Sequence, residues 1–496
     1  MPSSLDYNAL AATICVEDIT DGAVNQETLR LLKANDTSLT YLCLCEEKNE
    51  SEPGYYHPGS SEELSWLGHF TKNSTNENLK EFIVQGSDVF KKCDQQSVGR
   101  FFEDIGGCNH IETMQFCYAD LSEIIYKLGP VMRNNNIAHF QMEECHLGPG
   151  KSHFFNVFSG MKSLVELSIE CEDNWTDLND AVMVGCIPAL ATCSAMQYLS
   201  LMNLGFGISS YVALSANFHR MTCLRELDLQ RNSINDECVE VLVRGLAECK
   251  HLFRLNLKFN MIGDDGLDVL IRRLPASVDY LNLEMNQVTL ARQPSLLRFE
   301  ELNLGCNPLS CGGARIIAAS LANPECCLEV LCIHGINFVD EGAAILAESL
   351  RCNRRLTTMW FEQSDITITG WNAFSSVLCN AESINATHSS NHTLQRLGAD
   401  GFPQEFELLL RLNSNEDKSR VAATKILLAH RHLDMTPFFE QELDLLPYVV
   451  AWLERFAESR PDLKLCSIFE FVRATPMKVT NMVAGKTKGE KRKLNS

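Results

Sequence analysis

The sequence predicts an α/β solenoid: parallel strands along one side, helices along the other, and a small all-helical cap at its C-terminal end. Three observations predict it. A unit of the form L-x-x-L-x-L, followed by an Asn-like position and then a helical pattern, recurs at about 28 residues along most of the chain. The length of 496 residues exceeds what one compact core holds. An apolar fraction of 45% and a charged fraction of 22% are those of an ordinary folded protein, which excludes wholesale disorder and collagen-like structure.

The units open at Leu39, Leu79, Ile111, Ile137, Leu164, Met196, Leu224, Leu252, Val278, Phe299, Leu328, Leu356 and Ile384. Alternation in Leu227-x-Leu229 and Leu255-x-Leu257 puts leucines on one face of a short strand. Apolar residues then recur at i, i+3 and i+7, as in Val239/Leu242/Leu246, Leu267/Leu270/Leu274, Ala343/Leu346/Leu350 and Trp371/Phe374/Leu378. That spacing makes a stripe that packs a helix against the strand. Asp236, Asp264 and Asp340 stand just ahead of such helices, where a carboxylate caps free N–H groups. One unit cannot bury both its faces, so stacking supplies the core. Helices are wider than strands, so the stack is expected to curve with the strands on the concave side.

The motif L-x-x-L-x-L-x-x-N-x-I, with this period and a full helix, resembles the leucine-rich repeats of the ribonuclease-inhibitor type. The similarity extends to the solenoid of the Ran GTPase-activating protein. It is close over 111–394 and loose over 39–84. The resemblance implies a right-handed horseshoe. It also implies that the Asn or Cys after each strand bonds the loop of the neighbouring unit; Cys145, Asn232, Asn260, Asn286, Asn307 and Ser364 fall there, and Ile336 departs from the pattern. The unit from Val278 is too short for a helix, so residues 289–295 are expected as a link or a single turn. The unit from Ile384 has lost its leucines and reads as a worn terminal repeat.

Residues 1–38 are read as an N-terminal cap, with a helix over 26–33, and 39–110 as irregular repeats. Within them, 45–60 is acidic and rich in turn formers, which predicts a mobile surface loop. Ser60-x-x-Glu63 is a capping box opening a helix through Phe70. The regular solenoid runs over 111–395. Amphipathic patterns over 403–474 predict a helical cap, and 480–496 a disordered basic tail carrying Lys486, Lys488, Lys491, Arg492 and Lys493. The start of the chain lacks the basic and apolar regions of a secretory signal, and the longest strongly apolar run, 445–453, is half a membrane span. A cytoplasmic protein without membrane contact is expected, with the basic tail a candidate nuclear-import signal.

The 21 cysteines include no C-x-x-C pair and are read as buried free thiols. Gly150-Lys151-Ser152 and Gly485-Lys486-Thr487 end like phosphate loops, but Cys145 and Thr480 stand where the first glycine must be. His430-Arg431-His432 is expected to be exposed. No catalytic, metal or cofactor site is assigned, and the chain is read as non-enzymatic.

The outward strand positions are the candidate site. They carry Glu112, Glu143, Glu144, Glu166, Glu170, Glu226, Asp228, Asp279, Glu284, Glu300, Glu301, Glu329 and Glu362 against Arg225, Arg231, Arg254 and Lys258. Phe253, Phe259, Tyr280, Met285 and Trp360 lie among them, with no folding reason to face water. Asp228, Asn256, Asn282 and Asn303 read as a solvated ladder. The formal net charge of the chain is −21, which repels nucleic acid and favours basic partners. The expected function is a protein-interaction scaffold that binds a basic protein or peptide through Glu226, Asp228, Phe253, Arg254, Tyr280, Glu284 and Trp360. The resemblance implies an alternative: regulating an enzyme by covering it, as a ribonuclease inhibitor or a Ran-type GTPase activator.

Overall fold

The computed structural model describes residues 7–46, 52–148, 154–171, 180–292, 295–310, 312–336, 338–361, 366–398 and 404–430. The chain divides into two compact units, Met1–Gln287 and Val288–Ser496.

Among the described residues of the first unit, ten strands form a parallel sheet: β1 (Tyr41–Cys45), β2 (Tyr55–Tyr56), β3 (Glu81–Gln85), β4 (Thr113–Cys117), β5 (His139–Glu143), β6 (Glu166–Glu170), β7 (Tyr198–Met202), β8 (Glu226–Asp228), β9 (Arg254–Asn256) and β10 (Tyr280–Asn282). From β3 to β10 each strand pairs with the next, β1 lies beside β3, and β2 pairs with β1. The second unit holds β11 (Glu301–Asn303), β12 (Val330–Cys332), β13 (Thr358–Trp360) and β14 (Arg396–Gly398), again parallel and in chain order.

Every predicted opening residue from Leu39 to Leu356 lies two places ahead of a strand and is buried. The helical stripes are buried as their spacing requires: Val239, Leu242 and Leu246 in Asp236–Leu246, and Ala343, Leu346 and Leu350 in Val339–Leu350. Each such valine or leucine contributes about 1.5–3 kcal/mol of burial. The helices Ala23–Ala34, Ser61–Asn73, Gln404–Asn413 and Lys418–Ala429 match the helical patterns at the two ends. Ser60 caps its helix by accepting from Glu63 N–H, and Glu63 reaches back to Gly59 N–H. The described part of 289–295 contains no helix. None of the described helices is long and apolar enough to cross a membrane.

Four expectations are corrected. Residues 52–60 do not form a loose loop: Tyr55–Tyr56 pairs with β1, and Tyr56 is 0% exposed. Ile384 opens a helix, not a strand; Ser383 caps Ile384–His388, and the last strand follows Leu394 instead. His430 is buried, with its Nε2 2.9 Å from Thr387 Oγ1. Asp236 and Asp340 cap a different helix from the one assigned. Asn235 caps Asp236–Leu246, while Asp236 accepts from Gly263 N–H at 2.7 Å, at the start of the next repeat's helix, Asp264–Arg273. Asp340 likewise takes Thr367 N–H and Gly370 N–H at the start of Ile368–Leu378. Asp180, unnoticed in the sequence, takes Gly207, Ser209 and Ser210 N–H at the start of Ile208–Phe218. Each carboxylate thus satisfies orphan donors one repeat on. Residues 47–51, the 149–153 stretch, Glu362, Ser364, and 431–496 with the rest of the cap and the basic tail lie outside the described residues.

A buried amide joins successive repeats beyond the strands. Asn260 is 5% exposed; its Oδ1 accepts from Asn232 N–H at 3.0 Å and Ile234 N–H at 2.8 Å. Its Nδ2 donates to the carbonyls of Leu229 and Leu257. Asn232 and Asn286 repeat the pattern in the first unit, and Asn307 in the second. Cys145 is buried and donates to Glu143 O at 3.3 Å. Ile336, also buried, brings no such donor or acceptor.

Two outcomes test this packing. Asn260→Ala strands two buried N–H groups, each worth about 1–3 kcal/mol, so urea unfolding should show a loss of about 2–6 kcal/mol. Asp180 is held below the usual carboxylate range: burial pushes it up, but the hydrogen bonds from Ser210, Ser209 and Gly207 outweigh that. A depressed carboxylate stabilises above its unfolded value, near 3.9, and loses that contribution as pH falls through the folded one. Asp180→Ala should therefore melt lower than wild type at neutral pH, and the gap should close in strong acid.

Candidate functional site: the strand face of the first unit

The parallel register stacks equivalent residues in rows. The first positions of β5 to β10 give His139, Glu166, Tyr198, Glu226, Arg254 and Tyr280, each directly beside the next. The third positions of β7 to β10 give Ser200, Asp228, Asn256 and Asn282. The leucines between them point the other way and are buried, as period-two alternation requires. Glu226, Asp228, Arg254 and Tyr280 thus share one face, with Phe253 beside the first row and Glu284 just past β10. Trp360 lies on β13 of the second unit, in register with Cys332 and Gly398.

The aromatic rings do have partners, which corrects the sequence reading. The Arg254 guanidinium lies 4.0 Å over the Tyr280 ring, and its Nε is 3.7 Å from Glu226. Arg225 lies 5.8 Å over Phe253. Arg231 and Lys258 lie 5.0 Å and 5.3 Å from Phe259. A cation from one repeat therefore covers the ring of the next in each of the three longer-range pairs. Lys258 also pairs with Glu284 at 2.9 Å, where only 13% of the glutamate side chain is exposed. Arg355 and Lys80, outside the predicted basic set, pair with Glu329 and Glu112.

The mid-strand ladder is not simply solvated. Asp228, Asn256, Asn282 and Asn303 each accept the N–H two residues on, at 2.9–3.1 Å. That bond turns the chain out of its strand. Asp228 Oδ2 also takes Asn256 Nδ2–H at 2.7 Å, and burial pushes its carboxyl above the usual range.

The turn itself recurs. Tyr118, Glu144, Asn203, Arg231, Phe259 and Met285 all have left-handed backbone, with φ of 50–56°. Their N–H groups donate to a carbonyl of the next repeat in at least five cases, such as Phe259 to Glu284 O at 2.9 Å. Side chains such as Phe259 and Arg231 take their place on the face from this backbone. The L-x-x-L-x-L count carries no direct mark of it, since none of the six is glycine.

Carboxylates crowd β5 and β6. Glu143 and Glu170 sit directly opposite each other. Burial raises Glu170 first, Glu143 raises it further, and Arg231 opposes them. Tyr118, which the sequence reading passed over, is 49% exposed and donates its hydroxyl to Glu143 at 3.3 Å. Tyr198 was missed as well: it is half-buried, and burial, then the charge on Asp228, raises its hydroxyl. Both were legible as outward positions of the repeat frame.

Arg254 is the test of how much of this face is structural. Its side chain is 40% exposed, so its ion pair and ring contact together hold about 1 kcal/mol. Arg254→Met should cost no more than about that in urea unfolding; a loss of several kcal/mol would make the row a folding element and not a surface.

Two stretches of the chain, 220–243 and 248–270, match the family model described as Leucine Rich repeat. No curated protein matches the sequence. Among solved structures, an internalin (inlF) from Listeria monocytogenes is 16% identical, with 79% of this chain and 98% of that chain covered and a TM-score of 0.42. The two matched stretches carry β8 and β9, and the same strand, asparagine and helix positions recur before and after them: the chain has the architecture of a leucine-rich repeat solenoid.

Proposed function

We propose that the strand face of Met1–Gln287 binds a protein or peptide presenting lysine or arginine side chains. Glu226, Asp228, Phe253, Arg254, Tyr280 and Glu284 form the central contact, and Trp360 is a separate anchor on the second unit. Stacked repeats of this family present long, continuous surfaces, which suits a scaffold for protein partners. The observation that carries the reading is the crowding of Glu143 and Glu170 directly opposite each other on adjacent strands, which Arg231 only partly offsets. Like charges directly opposite are unfavourable, and a partner's cation placed between them removes that cost. The rings of Phe253 and Tyr280 already accept guanidinium groups, so the same surface suits further basic side chains.

A lysine-rich peptide followed by fluorescence anisotropy tests the reading. Its affinity should fall with salt and drop at least tenfold in Glu143→Gln/Glu170→Gln. Affinity indifferent to both overturns it. The resemblance to the ribonuclease-inhibitor type supports enzyme regulation as the alternative. Ribonuclease and Ran GTP turnover that stay unchanged with purified chain remove that alternative.

A further inference from the structure

Two residues 28 apart in sequence meet on the strand side of the second unit. Cys306 follows β11 and His334 follows β12, at adjoining places in neighbouring repeats. The Cys306 N–H donates to the His334 carbonyl at 2.7 Å, which locks the two turns together. The Cys306 sulfur and a ring nitrogen of His334 lie within 4.8 Å of each other, and both residues are half-buried.

Glycines make room for this approach. Gly305 stands against the imidazole: a Cβ there would lie 2.4 Å from His334 Cε1. Gly335 stands against the thiol: a Cβ there would lie 2.5 Å from Cys306 Sγ, and its φ of +66° already favours glycine. Each donor therefore occupies space that the neighbouring repeat leaves open. In the first unit the same two places hold Phe259 and Glu284, joined by the same backbone bond at 2.9 Å, with a ring where the thiol stands and a carboxylate where the imidazole stands.

A thiolate and an imidazole are both good donors to a borderline-soft divalent cation, with metal–sulfur and metal–nitrogen lengths of about 2.3 and 2.0–2.1 Å. Two such ligands in a tetrahedron stand about 3.5 Å apart, within the separation seen here. We propose that Cys306 and His334 form a half-site for Zn2+ or a cation like it. Cys306 and His334 supply two coordination positions, and other donors, such as water or atoms of a bound molecule, complete the shell. Binding replaces the thiol proton, which leaves to solvent. No C-x-x-C or H-x-x-x-H spacing announces the site, because the repeat period and not local spacing brings its ligands together.

Alkylation of the full chain by iodoacetamide, mapped by mass spectrometry, reads Cys306 separately from the other thiols. Zn2+ should slow modification of Cys306 at least tenfold in wild type and leave the exposed Cys223 and Cys352 unchanged. The protection should vanish in His334→Ala and, if that variant loses its circular-dichroism signature, in the closer match His334→Gln. No protection in wild type, or equal protection without the imidazole, overturns the proposal.

Discussion

The structure depends on one constraint: every turn that leaves a strand must pair its backbone N–H and C=O groups away from water. A parallel ladder of three residues cannot do this alone. The carboxamides of Asn232, Asn260 and Asn286 reach into the neighbouring repeat and take up what the ladder leaves over. Because each amide serves two repeats, no repeat of this kind is complete without its neighbour. The aspartates at the other end of the repeat do the same for helices. Asp180, Asp236 and Asp340 each sit in one repeat and satisfy the helix start of the next.

This mutual dependence is what makes a surface. The left-handed residue ahead of each asparagine and the N–H bond of the mid-strand Asp or Asn hold successive repeats in identical register. Equivalent side chains then fall into straight rows, and chemistry is set by what stands in each row. Between β8 and β10 the row alternates carboxylate, guanidinium and ring, and its charges largely answer one another. Between β5 and β6 carboxylate faces carboxylate. The face therefore offers a self-satisfied patch beside one where like charges stand opposite each other and Arg231 opposes them.

Much of this was legible in the sequence because burial writes itself in leucine spacing. All opening residues from Leu39 to Leu356 were placed correctly, and so were the stripes of the helices. The misses share a cause: they concern pairings, which spacing does not encode. Ile384 stands at the right interval for a strand, yet Ser383 ahead of it starts a helix, and the next strand waits for Leu394. Asp236 and Asp340 were assigned to the helix nearest in sequence, whereas the donors they bind belong to the repeat after. Tyr55–Tyr56 is too short and too closely flanked by Pro53 and Gly54 to read as a strand. Phe253 and Tyr280 looked bare because the arginines that cover them come from the preceding repeat.

The most direct measurement is native-state hydrogen exchange at the amides of Ile234 and Ile262, which donate to Asn260 and Asn286 from outside any strand. If buried carboxamides hold the repeats together, these two should exchange as slowly as strand amides such as Leu255 and Leu281, through cooperative opening of the unit. Exchange at the rate of ordinary surface turns, with the strand amides still protected, would contradict the account.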